Sequence, residues 1–506
     1  MDLETRLAGL TVLWHPDLDR IGERAELAGL GSGRREPLAR HEPLFAKPGS
    51  STARPLADAH LSRRPIVLES DGEGVCIDTS ATRTPVEVDG APLTGLLRFD
   101  ADALELGKVL LLGRRVVLLL HRFDPLAVDD PPELGMVGSS EAMIETRRAI
   151  TQVADLDTAV LLRGESGTGK ELAAAAVHRL SRRRHGAFVV VNMAAVPPSL
   201  AASELFGAAR GAYTGADAAR RGFFRQADGG TLFLDEIGET PSEVQPLLLR
   251  ALENGEIQAV GAHRPERVDV RVIAATDADL ESASATGGFR LPLLHRLAAY
   301  TLHLPPLARR RDDFGRLLRH FLEAEMAAAK ATDRSLGWLE PAWVAELARR
   351  SWPGNVRQLR NAARRLVVRS RGRRGLTRAA LDELLAELDS GAGGAAGATA
   401  ERTATGSGSA PDPPRRPAET TREDLLAALE AEAFRPEAAA RRLGISRPSV
   451  YDLMAKYPEI QTAGELEAPA IAEALELCGG DTALAASRLR VSKQGLVRRM
   501  KSLGLG

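Results

Sequence analysis

Four short apolar runs alternate with helical stretches between residues 134 and 305, and this alternation restricts the possible folds more than any other feature. The runs lie at residues 158–162, 187–192, 231–235 and 268–276. Parallel strands need a long crossover connection, usually a helix, so an alternation of this kind is typical of a parallel sheet. We therefore predict an α/β domain over 134–305, followed over 306–388 by a helical segment that resembles a lid.

The rest of the 506-residue chain divides by composition into three further parts. Residues 1–125 contain short β-rich runs separated by Gly, Pro and Asp, which predicts a small all-β sandwich. Residues 389–420 are rich in Gly, Ala, Ser, Thr and Pro and have little to bury, so we interpret them as a flexible linker. Residues 421–506 predict a compact all-α tail. The fold class is therefore multidomain, with β, α/β and α parts in that order.

Bulk properties exclude several classes of protein. The formal net charge is −1, so any binding to nucleic acid must come from a local patch. Cys76 and Cys478 match no metal-ligand spacing, which favours a reducing compartment. The first residues lack a signal peptide pattern, and the longest apolar stretch, 109–120, is interrupted by Gly and Arg. These observations predict a cytoplasmic protein.

A glycine-rich segment between the first apolar run and the next helix predicts a phosphate-binding loop. Its glycines allow backbone N–H groups to surround phosphate oxygens at the positive end of the helix, where Lys170 would reach the β- and γ-phosphates. A turn that binds nothing is the alternative interpretation of this motif alone. The predicted nucleotide-binding residues are Gly164, Glu165, Ser166, Gly167, Thr168, Gly169, Lys170 and Glu171.

Two carboxylates end the third apolar run. Adjacent acids are often only solvated charge, but their position after a phosphate-binding loop favours ATP hydrolysis. Asp235 would hold Mg²⁺, and Glu236 would orient and deprotonate the attacking water. The predicted cofactors are therefore ATP and Mg²⁺.

Arginines could stabilise the charge that phosphoryl transfer spreads over the equatorial oxygens. The candidates are Arg290 and Arg296 after the strands, and Arg357 at the start of a helix in the predicted lid. In an arginine-rich chain each of these is more often a surface charge, so the choice depends on the motifs around it.

These motifs together resemble the AAA+ domain of NtrC-type bacterial enhancer-binding proteins over about residues 134–370. The resemblance rests on the segments 164–171, 204–207, 211–216, 229–238 and 352–357. It implies a homo-oligomeric ring, usually hexameric, that hydrolyses ATP to remodel the sigma-54 RNA polymerase holoenzyme. It also implies that one glycine-flanked loop contacts sigma-54, namely Gly211, Ala212, Tyr213, Thr214, Gly215 and Ala216.

The resemblance also assigns roles to single residues. Asn192 would link the γ-phosphate state to the sigma-54 loop, and Thr276 would be the sensor on a neighbouring strand. Arg290 and Arg296 would be the fingers that reach the next subunit, and Arg357 the sensor of the lid.

The sequence departs from the family pattern at several of these places. Tyr213 replaces the Phe of the family's loop and keeps the ring. Glu171 departs instead from the general phosphate-binding motif, which has Ser or Thr there as a ligand of magnesium. Asp277 stands where Asn is usual, and Pro292 replaces an acid after the first finger. The last two put the detailed sensor and interface roles in doubt but leave the prediction of an ATPase intact.

The tail contains a repeat with an offset of 46 residues, in which 439–447 matches 485–493. Both copies resemble the Fis-type helix-turn-helix, which implies binding to enhancer DNA. The second copy is strongly basic, so we expect it to make the main contacts. The predicted DNA-binding residues are Ser492, Lys493, Arg498, Arg499 and Lys501, with Ser446 and Arg447 of the first copy secondary.

The front module weakly resembles a forkhead-associated domain, which binds phosphothreonine. Arg24, Ser62 and Arg63 would contact the phosphate of a partner protein. Several of the family's motif residues are replaced here, for example by Pro65. A degenerate module that only packs on the ATPase or on a partner is therefore an equally good interpretation.

Three classes of protein compete for the whole chain. A general AAA+ remodeller would share the nucleotide site but would need neither the loop 211–216 nor the tail. A DNA-binding regulator without catalysis would tolerate a broken phosphate-binding loop, and this loop is intact. A sigma-54-dependent transcriptional activator needs all three features, and it is the function that we predict.

Overall fold

A computed structural model gives the fold of most of the chain. The chain divides into two compact units, Met1–Thr399 and Ala400–Gly506. In the second unit the structure describes residues 422–431 and scattered positions between 434 and 500. In the first unit it describes residues 7–70, 74–123, 132–210, 220–329, 335–370 and 376–392.

The first part of unit one is a β-sandwich, as predicted. Its larger sheet has the order β5-β4-β2-β1-β12-β11-β8-β9 and its smaller sheet the order β10-β7-β6-β3, and the pairings are antiparallel. One helix, α1 (Ala101–Leu106), precedes β11. The strands are β1 (Leu7–Trp14), β2 (Arg24–Glu26), β3 (Glu36–Leu38), β4 (Phe45–Ala46), β5 (Ala53–Arg54), β6 (Ile66–Ser70), β7 (Gly74–Asp78), β8 (Val86–Val88), β9 (Ala91–Leu93), β10 (Leu96–Asp100), β11 (Lys108–Leu112) and β12 (Val116–Phe123).

Strand β12 is apolar at consecutive positions because both of its faces are buried. Val116, Leu118 and Leu120 point into the core between the two sheets of the sandwich. Val117 and Leu119 point the other way, into a second core that the sandwich shares with the lid. Side chains alternate along a strand, so a strand covered on both sides reads as a continuous apolar run.

The second part is a five-stranded parallel sheet with helices, in the order β14-β15-β18-β13-β19. All four predicted apolar runs contribute strands to it, which confirms the α/β prediction. The strands are β13 (Val160–Arg163), β14 (Phe188–Asn192), β15 (Thr231–Asp235), β18 (Arg271–Thr276) and β19 (Tyr300–His303), with a separate hairpin of β16 (Glu256–Ile257) and β17 (Glu266–Arg267). The helices are α2 (Glu141–Ala154), α3 (Lys170–Leu180), α4 (Ala201–Phe206), α5 (Phe223–Gln226), α6 (Gln245–Asn254), α7 (Leu280–Ala285) and α8 (Leu291–Leu297).

The lid is helical, as predicted, and it begins with two short 3-10 turns, Leu307–Arg309 and Arg311–Asp313. Its last helix continues to Ala392, beyond the predicted boundary at 388, and residues 393–420 of the predicted linker lie outside the described residues. The helices are α9 (Phe314–Ala328), α10 (Pro341–Ala348), α11 (Asn355–Ser370) and α12 (Arg378–Ala392).

The sandwich and the lid share one hydrophobic core. Leu13 and Trp14 of β1 join the outward face of β11 and β12, and these residues pack with Phe314 and Leu317 of α9 and with Trp343 of α10. A shared core of this kind is more extensive than the polar contacts that are usual between domains of one chain. The packing interpretation of the front module therefore describes part of what this domain does.

The second unit contains the end of the tail. The described helices are α13 (Arg422–Ala431), α14 (Ala468–Leu477) and α15 (Thr482–Arg488). Ala485 and Ala486 are buried against Ile471 and Ala474 of the preceding helix. Small side chains at these positions let the two helices approach closely, as expected of the second repeat copy. Most of the first copy, including 444–465, lies outside the described residues.

Among the described residues, no helix is both long and apolar enough to cross a membrane.

The close approach of α9 to β1 yields a first prediction. A Cβ atom at Gly315 would lie 2.0 Å from the carbonyl oxygen of Leu13, which is a backbone atom that cannot move aside alone. Gly315→Ala should therefore push the sandwich away from the lid and lower the free energy of unfolding by about 1–3 kcal/mol. Scanning calorimetry of the full chain measures this as a lower melting temperature.

Gly31→Ala is the matched control, because a Cβ atom there meets nothing within 4 Å. It should leave the melting temperature unchanged. Equal melting temperatures for both variants would contradict the close contact between α9 and β1.

Candidate nucleotide-binding site

The carboxyl ends of the parallel strands bring the predicted catalytic residues to one edge of the sheet. Asn192 at the end of β14 is in register with Asp235 at the end of β15. Thr276 at the end of β18 is in register with Arg163, the last residue of β13 before the phosphate-binding loop. The strand order changes direction next to β13, whose neighbours β18 and β19 lie on opposite sides of it. Crevices at such topological switch points are where open α/β sheets bind ligands.

The predicted phosphate-binding loop connects β13 to α3, which begins at Lys170. Gly167 has a φ of +80°, and a Cβ atom there would lie 2.4 Å from the carbonyl oxygen of Gly354 in the lid, so only glycine suits this position. The Nζ atom of Lys170 donates to the carbonyl oxygen of Gly164 at 2.7 Å. Glu171 is exposed in the first turn of α3.

Asp235 and Glu236 are half-buried beside this loop. Glu236 has a left-handed backbone with a φ of +52°, which costs about 1–2 kcal/mol for a residue other than glycine and is typical of functional sites. Burial and the charges of Asp277 and Asp235 raise the pKa of Glu236, while Lys170 lowers it. A raised pKa makes the carboxylate a stronger base.

The residues at this edge fit a magnesium ion. The Oδ1 atom of Asp235 accepts a hydrogen bond from the backbone N–H of Glu236 at 3.1 Å, which fixes the carboxylate at the strand end. Mg²⁺ prefers one or two such carboxylates together with phosphate oxygens. Asp235 would therefore hold the ion beside the phosphates of a bound nucleotide.

The lid touches the phosphate-binding loop through the start of α11. The Nη1 atom of Arg357 donates to the Oγ atom of Ser166 at 2.9 Å, which places this arginine at the site as predicted. The Nδ2 atom of Asn355 donates to the Oε2 atom of Glu165 at 2.9 Å and to the carbonyl oxygen of Ser166 at 3.1 Å. Asn355 is fully buried and was not among the predicted site residues.

Asn355 left a signal in the sequence. It follows Pro-Gly and has a φ of +51°, and Asn is the residue other than glycine that most often adopts such a conformation in a turn. Its Oδ1 atom accepts from the backbone N–H of Leu307 at 2.7 Å. The side chain of Asn355 therefore joins the start of the lid to the phosphate-binding loop.

The two predicted arginine fingers lie on the surface of this chain. Both side chains are exposed, at the start and near the end of α8. The Nε and Nη2 atoms of Arg296 donate to the carbonyl oxygen of Leu252, at 3.1 and 2.9 Å. The backbone N–H of Arg290 donates to the Oε1 atom of Gln245 at 2.8 Å. The structure therefore does not bring them to this chain's own strand ends.

The predicted sigma-54 loop, Gly211 to Ala216, lies outside the described residues, but the structure shows its base. Ala208 and Arg220 exchange two backbone hydrogen bonds of 3.0 and 2.9 Å. Arg220 also forms an ion pair of 2.5 Å with Glu204 at the end of α4. The two described segments that flank the loop are therefore joined to each other at Ala208 and Arg220, which form its stem.

The predicted contacts in the tail lie largely outside the described residues. Arg499 is described, and its Nε atom donates to the carbonyl oxygen of Leu466 at 2.9 Å, so part of its guanidinium stabilises the tail itself. The predicted residues that lie outside are Ser446, Arg447, Ser492, Lys493, Arg498 and Lys501.

The predicted phosphothreonine residues of the sandwich differ in their surroundings. Arg63 is exposed, and Ser62 is half-buried, with its Oγ atom accepting from the backbone N–H of Arg64. Arg24 instead pairs with Asp312 of the lid at 2.7 Å. Binding of phosphothreonine stays a prediction, and at Arg24 it would compete with a carboxylate of the same chain.

These features define the central domain as a P-loop nucleotide-binding domain of the α/β class with a helical lid. Three families match the chain in order. The Sigma-54 interaction domain matches residues 136–303, the AAA+ ATPase lid domain 308–396, and the Bacterial regulatory protein, Fis family 462–503. The Fis-family match covers the second copy of the repeat.

Several transcriptional regulators are similar to this chain. DNA-binding transcriptional regulator NtrC of Escherichia coli (strain K12) is 49% identical over 241 residues, which are 48% of this chain and 51% of the relative. NtrC of Azospirillum brasilense is 37% identical over 377 residues, which are 74% of this chain and 70% of the relative. A crystal structure of NtrX from Brucella abortus in complex with ADP is 30% identical, with a TM-score of 0.46, over 74% of this chain and 70% of that one.

The chain belongs to the family of sigma-54-interacting transcriptional regulators that includes NtrC. It spans about half the length of the Escherichia coli relative.

Asn355 yields a prediction about the nucleotide site. Asn355→Asp keeps the shape but replaces the donor by a second carboxylate beside Glu165 and the Ser166 carbonyl. Loss of such a buried hydrogen bond costs about 1–3 kcal/mol. Isothermal titration calorimetry should therefore show the Kd for ADP raised about tenfold or more.

Gln358→Glu is the matched control on the same helix. The Oε1 atom of Gln358 accepts from the backbone N–H of Gly354 at 3.0 Å, and a glutamate can accept the same bond. Gln358→Glu should therefore keep the parental Kd for ADP. An unchanged Kd for ADP in Asn355→Asp would contradict a role of the Asn355 side chain at the phosphate-binding loop.

Proposed function

We propose that this chain is a sigma-54-dependent transcriptional activator of the cytoplasm, which binds enhancer DNA and couples ATP hydrolysis to promoter opening. The observation that carries the proposal is the contact between Ala208 and Arg220 at the stem of the loop. This stem belongs to the same domain as the strand ends that carry Asn192, Asp235 and Thr276. Strand β14 ends in Asn192 and leads to α4, whose Glu204 pairs with Arg220. A change at the phosphates therefore has a short path, through Asn192 and Glu204, to the stem of the loop that would contact sigma-54.

The residues of this chain divide the hydrolysis between them. Lys170 would leave the carbonyl of Gly164 and bind the β- and γ-phosphates. Asp235 would hold Mg²⁺, which neutralises phosphate charge when bound. Glu236 would orient the attacking water and accept its proton.

The exposure of Arg290 and Arg296 supports a homo-oligomeric ring, in which a neighbouring subunit supplies them. Arginines at the transition state of phosphoryl transfer contribute roughly 10³–10⁵ in rate. An arginine held on the outer face of α8 serves a site on another copy better than the site of its own chain. We propose that the ring has six subunits, because the family usually forms hexamers.

Asn192 and Thr276 flank the two acids and would detect the γ-phosphate. Asn192 lies next to Asp235 in the sheet, and its Oδ1 atom accepts from the backbone N–H of Ala194 at 3.0 Å. An exchange of that hydrogen bond for one to Glu236 would move the segment that leads to α4. The tail, through Lys493, Arg498 and Lys501, would hold the ring near the promoter by contacts with DNA phosphates.

Replacement of the proposed base tests the chemistry. Glu236→Gln keeps the size of the side chain but cannot accept a proton, so it should bind ATP normally and hydrolyse it at least about 100-fold more slowly. The measurement is the release of phosphate alongside the Kd for ATP. Glu239→Gln, an exposed acid one turn further on, should keep the parental rate. Parental turnover by Glu236→Gln would exclude Glu236 as the base.

Replacement of Thr214 separates the proposed activator from a general remodeller. Thr214→Ala should abolish ATP-dependent transcription from a sigma-54 promoter and leave ATP hydrolysis within about twofold of the parent, because Thr214 is not among the residues proposed to bind or hydrolyse nucleotide. Thr286→Ala, at an exposed position of the same domain, should keep both activities. Full transcription by Thr214→Ala would favour the remodeller.

A further inference from the structure

Arg24 of the β-sandwich is directed into the ATPase rather than into solvent. Its Nη2 atom donates to the Oδ2 atom of Asp312 at 2.7 Å and to the carbonyl oxygen of Ser139 at 2.8 Å. Its guanidinium lies 5.4 Å from the centroid of the Phe123 ring, and only 11% of its side chain is exposed. One side chain therefore ties the sandwich to two segments that are distant in sequence.

These two segments meet at the carboxylate of Asp313. Its Oδ1 atom accepts from the backbone N–H groups of Ser139 and Ser140, at 2.6 and 2.9 Å, and its Oδ2 atom accepts from the Oγ atom of Ser140 at 2.5 Å. Ser140 caps α2 at the start of the α/β domain, whereas Asp313 precedes the first helix of the lid. Arg24 therefore contacts both sides of the junction between the α/β domain and the lid.

The same short turn reaches the phosphate-binding loop. The Nη2 atom of Arg310 donates to the carbonyl oxygen of Thr168 at 3.0 Å, and Arg310 is buried. Only Arg311 separates Arg310 from Asp312, the partner of Arg24. A displacement of this turn would therefore move a hydrogen bond of the phosphate-binding loop.

Charge balance makes the position of the turn sensitive to Arg24. Asp312 and Asp313 are adjacent and buried, and burial and the charge of Asp312 raise the pKa of Asp313. Without Arg24, Asp312 would lose its ion pair beside a second carboxylate, and the two acids would share the charge of Arg310. A buried charge that loses its partner is strongly unfavourable, so the turn would shift toward water.

We propose that Arg24 is a positioning residue for the nucleotide site, through which the docked sandwich holds the turn at 310–313 and so sets the affinity of the phosphate-binding loop for nucleotide. This inference rests on the proposed function in one respect, namely that the loop binds adenine nucleotides. It gives the sandwich a role beyond packing. Loss of the pair between Arg24 and Asp312 would displace the turn from which Arg310 donates to the carbonyl oxygen of Thr168.

Other contacts keep the sandwich docked when Arg24 is replaced. The Nη1 atom of Arg319 donates to the carbonyl oxygen of Leu18 at 2.6 Å, and that of Arg311 donates to the carbonyl oxygen of Gly107 at 3.0 Å. The shared hydrophobic core also remains. A single replacement of Arg24 therefore tests the coupling to the nucleotide loop and not the loss of the domain.

The test is the Kd for ADP of the full chain by isothermal titration calorimetry. Arg24→Met should raise the Kd about fivefold or more, the lower end of energetic coupling between sites. Asp312→Asn in the Arg24→Met background removes the carboxylate that has lost its ion pair and should return the Kd to within about threefold of the parent. Arg35→Met is the control, because the pair of Arg35 with Glu69 lies on the surface of the same sandwich.

A Kd for folded Arg24→Met within about twofold of the parent would overturn the proposal, as would failure of Asp312→Asn to restore affinity. If Arg24→Met does not fold, Arg24→Gln keeps a donor for the Ser139 carbonyl oxygen but removes the positive charge beside Asp312. A raised Kd in that variant supports the coupling, and a parental one overturns it. Failure of the parent itself to bind ADP would instead refute the proposed nucleotide site.

Discussion

The buried carboxylate of Asp313 is the interaction on which the arrangement of unit one depends. A charged group without solvent is stable only when hydrogen bonds replace its hydration, and here two backbone N–H groups and the hydroxyl of Ser140 do so. The donors belong to the start of the α/β domain and the acceptor to the start of the lid. The requirement to satisfy one carboxylate therefore fixes the lid against the sheet.

The nucleotide site depends on this junction, because the lid that the junction holds in place contacts the phosphate-binding loop. The strand ends supply Asp235 and Glu236, but the phosphate-binding loop is also held from the lid by Asn355 and Arg357. Glu236 and Asn355 both adopt a left-handed backbone, one on each side of the site. Such conformations persist only where the surroundings enforce them, so a lid that turned away would relax Asn355 and release the loop at the same time.

The sequence predicted the parts of this site that depend on local pattern. The four apolar runs, the glycines of the loop and the acids at a strand end have fixed spacings, and parallel strands must bring their carboxyl ends to one edge. The contacts of Asn355 with the phosphate-binding loop depend on how the lid packs against the α/β domain. A polar residue after Pro-Gly has the same sequence pattern whether or not it contacts such a loop. Motif resemblance selected Arg357 and missed its buried neighbour.

The same distinction applies to the sandwich. Its all-β character was predictable from short β-rich runs. The Gly and Arg residues within the apolar stretch 109–120 argued against a membrane span, but the stretch did not reveal what covers it. Consecutive apolar residues in β12 mean that both faces are buried, and only the structure shows that the second face belongs to the lid. Arg24 illustrates the limit, since an arginine that suits a phosphate equally suits the carboxylate of Asp312.

The electrostatics of the strand ends that carry Asp235 and Glu236 support the proposed ring. Asp235, Glu236 and Asp277 lie together with one lysine, and Asp277 is an acid where the family usually has an amide. A nucleotide triphosphate adds further negative charge, which a half-buried site accepts only with added cations. Magnesium supplies part of this, and the exposed arginines of a neighbouring α8 would supply the rest. In the proposed ring, nucleotide binding and subunit contact therefore stabilise each other, and the acid at 277 strengthens that dependence.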